Sequence, residues 1–177
     1  MKPFNLLYLS LFWLSALTGS AQAAQLQTSD FRLSISPRVP EGIAAFYEAR
    51  GFPGKAIELL KQQCYLGVGF HNTSKDIIWL QLENWQFSTT TGPYPRLDRA
   101  YWTQKWQAEK LEPRFQSTFR WTLMPEQLDF RPDEREGGNL ILPYTEQPLR
   151  LNATLRILRD DKEILLPIQL DDIKCLR

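Results

Sequence analysis

The groups in this sequence able to do chemistry are one histidine, His71, two cysteines, Cys64 and Cys175, an acidic run near residue 130 and a knot of aromatic and basic residues near residue 100. Acyl transfer by a serine and a histidine needs a nucleophile on a sharp turn and an acid to orient the imidazole, and no Gly-x-Ser-x-Gly stretch is present. His71, expected at a strand end, is thus a base without a nucleophile. A hydrolase built on two carboxylates needs one pair set apart, and the 20 Asp and Glu residues are scattered with no such pair. Asp129, Asp133, Glu134 and Glu136 crowd together as calcium ligands do, but they fit no EF-hand spacing, and Arg131 and Arg135 interrupt them. A solvated loop is expected there, leading into a turn at Gly137 and Gly138. Neither a metal site nor a cofactor is expected.

Binding chemistry is better represented. Residues 98–111 have the composition of a helix, with Asp98 as N-cap and Pro113 as stop, and Trp102 and Trp106 lie four apart and therefore side by side. With Tyr101 beside them and Arg99 as the charged contact, the rings offer a platform for a sugar or an extended peptide and the guanidinium a partner for carboxylate or phosphate. The alternative is a helix that closes one end of the fold and spends the rings on its core, in which case the platform disappears. Gly67 and Gly69 stand on one face of a strand and leave a strip without side chains, for which the helical segment just before it is the expected cover. Asn72-Thr73-Ser74 and Asn152-Ala153-Thr154 match the glycosylation sequon, the second within a strand pattern.

The elements that hold these groups follow from periodicity. Phe31, Leu33 and Ile35 alternate with polar residues, as do Cys64 to Phe70, Ile78 to Leu82, Leu149 to Ile157 and Ile164 to Leu170, with a bulge expected near Glu83 or Asn84. Phe119, Trp121 and Leu123 read as a further strand, and Leu140 and Leu142 as a short one. Pro40 to Gly51 and Pro53 to Gln62 read as two short helices, the first ended by Gly51 in a left-handed cap. The expected fold is mainly β: an immunoglobulin-like antiparallel β-sandwich with a short N-terminal helical hairpin and one helical insertion.

Composition bounds the setting. Of 177 residues, 43% are hydrophobic and 23% charged, with a net charge of +1, which excludes the electrostatic footprint of a nucleic-acid binder. Lys2, the apolar run from Phe4 to Leu17 and Ala21-Gln22-Ala23 read as a signal peptide over residues 1–23, cleaved after Ala23, its apolar run short of the ~20 residues that span a bilayer. Residues 24–177 are expected to form a single domain with no membrane span, periplasmic in a bacterium and otherwise secreted. Export makes a Cys64–Cys175 disulfide the expected fate of the two thiols, worth roughly 4–5 kcal/mol for so long a loop. The function expected is non-catalytic binding of another envelope or secreted protein through Arg99, Tyr101, Trp102 and Trp106. A carbohydrate- or peptidoglycan-binding module is the alternative, and a hydrolase the third reading.

Overall fold

A computed structural model describes residues 23–177. The signal peptide expected over residues 1–23 lies outside these residues but for Ala23. In chain order the elements are β1 (Ala24–Gln27), β2 (Phe31–Arg38), α1 (Pro40–Glu48), α2 (Gly54–Lys61), β3 (Gln63–Asn72), β4 (Ile77–Gln81), β5 (Gln86–Thr89), β6 (Gly92–Tyr94), α3 (Arg99–Ala108), α4 (Pro113–Thr122), β7 (Gln127–Phe130), β8 (Arg135–Pro143), β9 (Leu149–Arg159) and β10 (Lys162–Ile173).

The strands form two antiparallel sheets, β1-β2-β3-β8 and a second in which β9 is central. One side of β9 pairs with β10 along nearly its whole length; the other side is shared by β5 near Leu151 and β4 near Ile157. β4 and β5 are thus one line of strand interrupted at Leu82–Asn84, where a turn of 3₁₀ helix stands in place of the expected bulge. Alternation puts Leu33, Ile35, Leu66, Val68 and Phe70 of the first sheet against Ile78, Leu80, Leu151, Leu155 and Ile157 of the second, and this inter-sheet layer is the main core. The β9–β10 hairpin turns on Asp160 and Asp161, both left-handed at φ 50 and 60, a conformation Asp tolerates. Toward that turn Ile164 and Leu165 come out into solvent, so the inward alternation of β10 begins only beyond them.

The four helices form a second core on the outer face of the first sheet, where Tyr65 and Ile141 point away from the sandwich and meet Ile43, Tyr47, Leu60, Trp106 and Phe119. Gly51, at φ 73, ends α1 and lets Phe52 fold back onto Tyr47, the ring centroids 4.7 Å apart. Phe119 and its neighbours correct the expectation of a strand. Pro113 opens α4 at its first position instead of merely stopping α3, and Phe115 and Phe119, one turn apart, are the buried pair, while Trp121 points outward. The insertion therefore holds two helices.

Gly137 and Gly138 lie inside β8 and not in a turn. A side chain at Gly138 would strike the backbone of Leu123 and Met124, which runs beside β8 and donates from Met124 N to Asn139 O at 3.0 Å. Close backbone approach, not turn freedom, is what requires glycine there.

Candidate functional site

Asp98 caps α3 as its sequence implies, its carboxylate accepting from the Tyr101 amide at 2.8 Å. The cap sets where α3 begins, and packing against Phe119 of α4 holds both tryptophans inward. Trp102 is 2% exposed and Trp106 1%, with their ring centroids 4.9 Å apart and Phe119 at 5.0 and 5.2 Å from them. The two indoles are core and offer no platform, because α4 covers the face on which they stand; this corrects their expected role as surface anchors. Tyr101, edge-on to Trp102, remains 42% exposed. A fully presented ring does exist: Trp121 on α4 is 86% exposed, a residue that a strand assignment had placed with the core.

Arg99 is held at the start of α3 by donating from Nη2 to the Leu123 carbonyl at 3.2 Å. Burial, then the nearby Arg120, lower its pKa. Arg99, Trp102, Trp106, Gln116, Phe119 and Arg120 are among the walls of a cavity of about 210 Å³ between α3 and α4. Arg96, the next basic residue, is committed elsewhere, forming a two-point pair with Glu126 at 3.0 and 2.6 Å.

A second concave surface was not visible as a site in the sequence, because its residues come from four strands. The helices cover only one end of the first sheet's outer face. On the open end, register aligns Gln27, Arg32, His71 and Arg135 in one row across β1, β2, β3 and β8, and Gln25, Ser34, Gly69 and Gly137 in the next. Ser36, Gly67 and Asn139 follow, and beyond them Arg38 leads to the covered residues Tyr65 and Ile141. The first two of these rows form an open trough of about 660 Å³, with Ser34, Gly69 and Gly137 on its floor and Arg32 and Arg135 in its end row. The strip at Gly67 is covered by the Arg38 guanidinium, into which a Cβ at Gly67 would run, and not by the helices; at Gly69 a Cβ would meet Ser34 Oγ at 2.9 Å. Arg32 and Arg38 enter no ion pair among the described residues.

His71 Nε2 lies 2.8 Å from Asp133 Oδ1, and this contact, then Arg135, holds the Asp133 carboxyl below its ordinary range. Asp133 reaches it from a tight turn, at φ 62. Of the other acidic residues expected in one loop, Asp129 belongs to β7 and Glu136 to β8. Among the described residues no group of three or more His, Cys, Asp or Glu side chains is placed to hold a metal ion.

Asn72 is completely buried and fully bonded, donating to the Asp76 and Phe130 carbonyls and accepting from Ser74, so its amide serves the fold. Asn152, the other sequon residue, is exposed on β9. Cys64 and Cys175 are joined by a disulfide. No described helix is long and apolar enough to cross a membrane.

No protein-family model and no curated protein matches the sequence. Among solved structures, a Bacillus subtilis protein described as "a putative lipoprotein (ycdA)" aligns with 14% identity and a TM-score of 0.44, over 85% of this chain and 39% of that one. The chain therefore spans well under half of that protein's length, and a likeness at this level fixes neither fold nor function.

Proposed function

We propose that this chain is an exported binding module that acts without bond-making, and that it takes an extended acidic segment of another envelope or secreted protein on the open end of its first sheet. The observation that carries this reading is the trough floor. Glycine weakens a strand, so Gly69 and Gly137, side by side on the trough floor, are a standing cost to the sheet, offset if another chain approaches the backbone closely there. Arg32 and Arg135, in the trough's end row, give that visitor's carboxylates their partners. Export is supported by the leader expected at residues 1–23 and by the Cys64–Cys175 bond, which oxidising compartments sustain. An immunoglobulin-like relation belongs to the same proposal, supported by two packed sheets in which β3 pairs with β8 and β9 with β4 and β5.

The test is quantitative capture from envelope extract by the wild-type chain, by Arg32→Glu/Arg135→Glu and by Gly69→Val. One protein retained by wild type and lost at least tenfold in both variants, with Trp121→Ala unchanged, is the expected pattern. Equal retention by all four chains refutes the trough.

Hydrolysis is the second reading, favoured by the His71–Asp133 contact at 2.8 Å. It requires a nucleophile, and Ser34, which shares the trough with His71, donates its hydroxyl to the Gly69 carbonyl at 3.4 Å instead. Turnover of an ester reporter that is abolished in both His71→Ala and Ser34→Ala would replace the binding reading with this one.

A further inference from the structure

We infer that the cavity between α1 and the outer face of the first sheet binds a monocarboxylate with a compact apolar body. It measures about 480 Å³, within the range of roughly 300–1,000 Å³ that small-molecule sites occupy, and its walls include Arg38, Val39, Gly42, Ile43, Phe46 and Asn139. Val39 and Phe46 are 46% and 38% exposed, so apolar surface is on offer there and not spent on the core. Gly42 is the wall that points to a ligand. Glycine is a poor helix former, and neither its φ nor a close neighbour requires it in α1: a Cβ would meet Val39 Cγ2 at an ordinary contact distance of 3.4 Å. What the missing side chain leaves open is the cavity.

Charge selects the head of the ligand. Among the described residues Arg38 is the one charged group that lines the cavity, and it has no ion-pair partner. Its guanidinium lies over Gly67, beside Asn139, the register partner of that glycine, and the residue is exposed, so solvent and solutes reach its donors. A single guanidinium with no second cation at the walls matches a single negative charge, and a carboxylate meets its fork in two points. The body of the acid then lies along Val39, Ile43 and Phe46, in a space well above the volume on the order of 150 Å³ that admits a benzene ring. These walls are braced in advance. Thr122 joins two of them, its hydroxyl 2.8 Å from that of Tyr47 and its carbonyl accepting from Asn139 Nδ2 at 3.0 Å. Arg50 holds a third, its guanidinium 3.4 Å from the centroid of the Phe46 ring and its Nη1 donating to the Phe46 carbonyl at 2.7 Å. Walls already fixed lose little freedom when a ligand arrives. This site is separate from the trough and does not depend on its role.

The experiment follows the methyl resonances of Val39 and Ile43 in the folded chain during titration with phenylpropionate, phenylpropanol, sulfate and a short peptide ending in Phe, as free acid and as amide. Saturable shifts with phenylpropionate, at least tenfold weaker with phenylpropanol and with sulfate, are expected. Affinity should fall at least tenfold in Arg38→Met, which removes the charge, and in Gly42→Leu, which fills the cavity from the helix, each shown to unfold cooperatively. A free-acid peptide that outcompetes phenylpropionate identifies a chain terminus as the natural source, and the reverse identifies a free small acid. Methyl resonances unmoved by phenylpropionate and by the free-acid peptide, equal responses to phenylpropionate and phenylpropanol, or full affinity in either variant would overturn the assignment.

Discussion

Tyr65 sits at the seam between the first sheet and the helical layer, wholly buried, with the Tyr47 phenol as its hydroxyl's polar neighbour. Burial, then the neighbouring Tyr47 phenol, raises its pKa well above the usual value. Tyr47 is raised as well, chiefly by burial, although its hydroxyl is 2.8 Å from that of Thr122. A folded-state pKa above the unfolded one means that the unfolded chain releases its proton first. The corresponding stability is therefore fully present below pH ~10 and is lost as pH rises from there. Tyr65→Phe is expected to leave stability at pH 7 within about 1 kcal/mol of wild type, since the hydroxyl it removes has only the Tyr47 phenol beside it and Tyr47 keeps Thr122 as a partner. Above pH 10 the variant should lose up to ~1.4 kcal/mol less per pH unit than wild type. Denaturant unfolding at pH 7, 10 and 11 measures both, and parallel pH curves would contradict the account.

At the level of elements, the N-cap sets where α3 begins. Asp98→Ala should cost about 1 kcal/mol, and Asp98→Asn should restore most of it, because either side chain accepts from the Tyr101 amide. Hydrogen exchange at the first turn of α3 reports the loss locally. This cap was readable in the sequence, as were Gly51, the strands β2 and β9 with one dry and one wet face each, and β3, although from Cys64 to Val68 both faces of β3 are buried. α4 was not read correctly, because Phe119, Trp121 and Leu123 imitate alternation over a span too short to separate period two from period 3.6. The signals that settle it, Pro113 at the first position and Phe115 one turn before Phe119, were present but outside that window. Gly137 and Gly138 were misread for a different reason. Their neighbour, the Leu123–Met124 backbone, is set by tertiary packing that no local pattern encodes. The trough was hidden likewise, since Arg32, His71 and Arg135 become neighbours only through strand register.

On the scale of the whole molecule, two cores share one sheet. The inter-sheet layer and the helical layer meet through β3 and β8, whose alternate residues enter one core or the other, Leu66 and Leu142 on one side, Tyr65 and Ile141 on the other. Cys64 stands in β3 at that junction and is joined to Cys175 beyond β10, a separation of 111 residues. Replacing both cysteines by alanine should cost roughly 4–5 kcal/mol in the chain-entropy account, read as a lower denaturation midpoint with an altered denaturant slope. A loss below about 1 kcal/mol would mean that the two cores hold the termini together unaided.

The placement of that bond also imposes an order in time. Cys64 in β3 precedes its mate by 111 residues, so oxidation to the native pairing must wait until every element from β3 to β10 has been synthesised. A product that stops short of residue 175 is left with a lone thiol, reactive while the fragment is loose. Covalent closure thus certifies that both sheets, from β3 through β10, have been made.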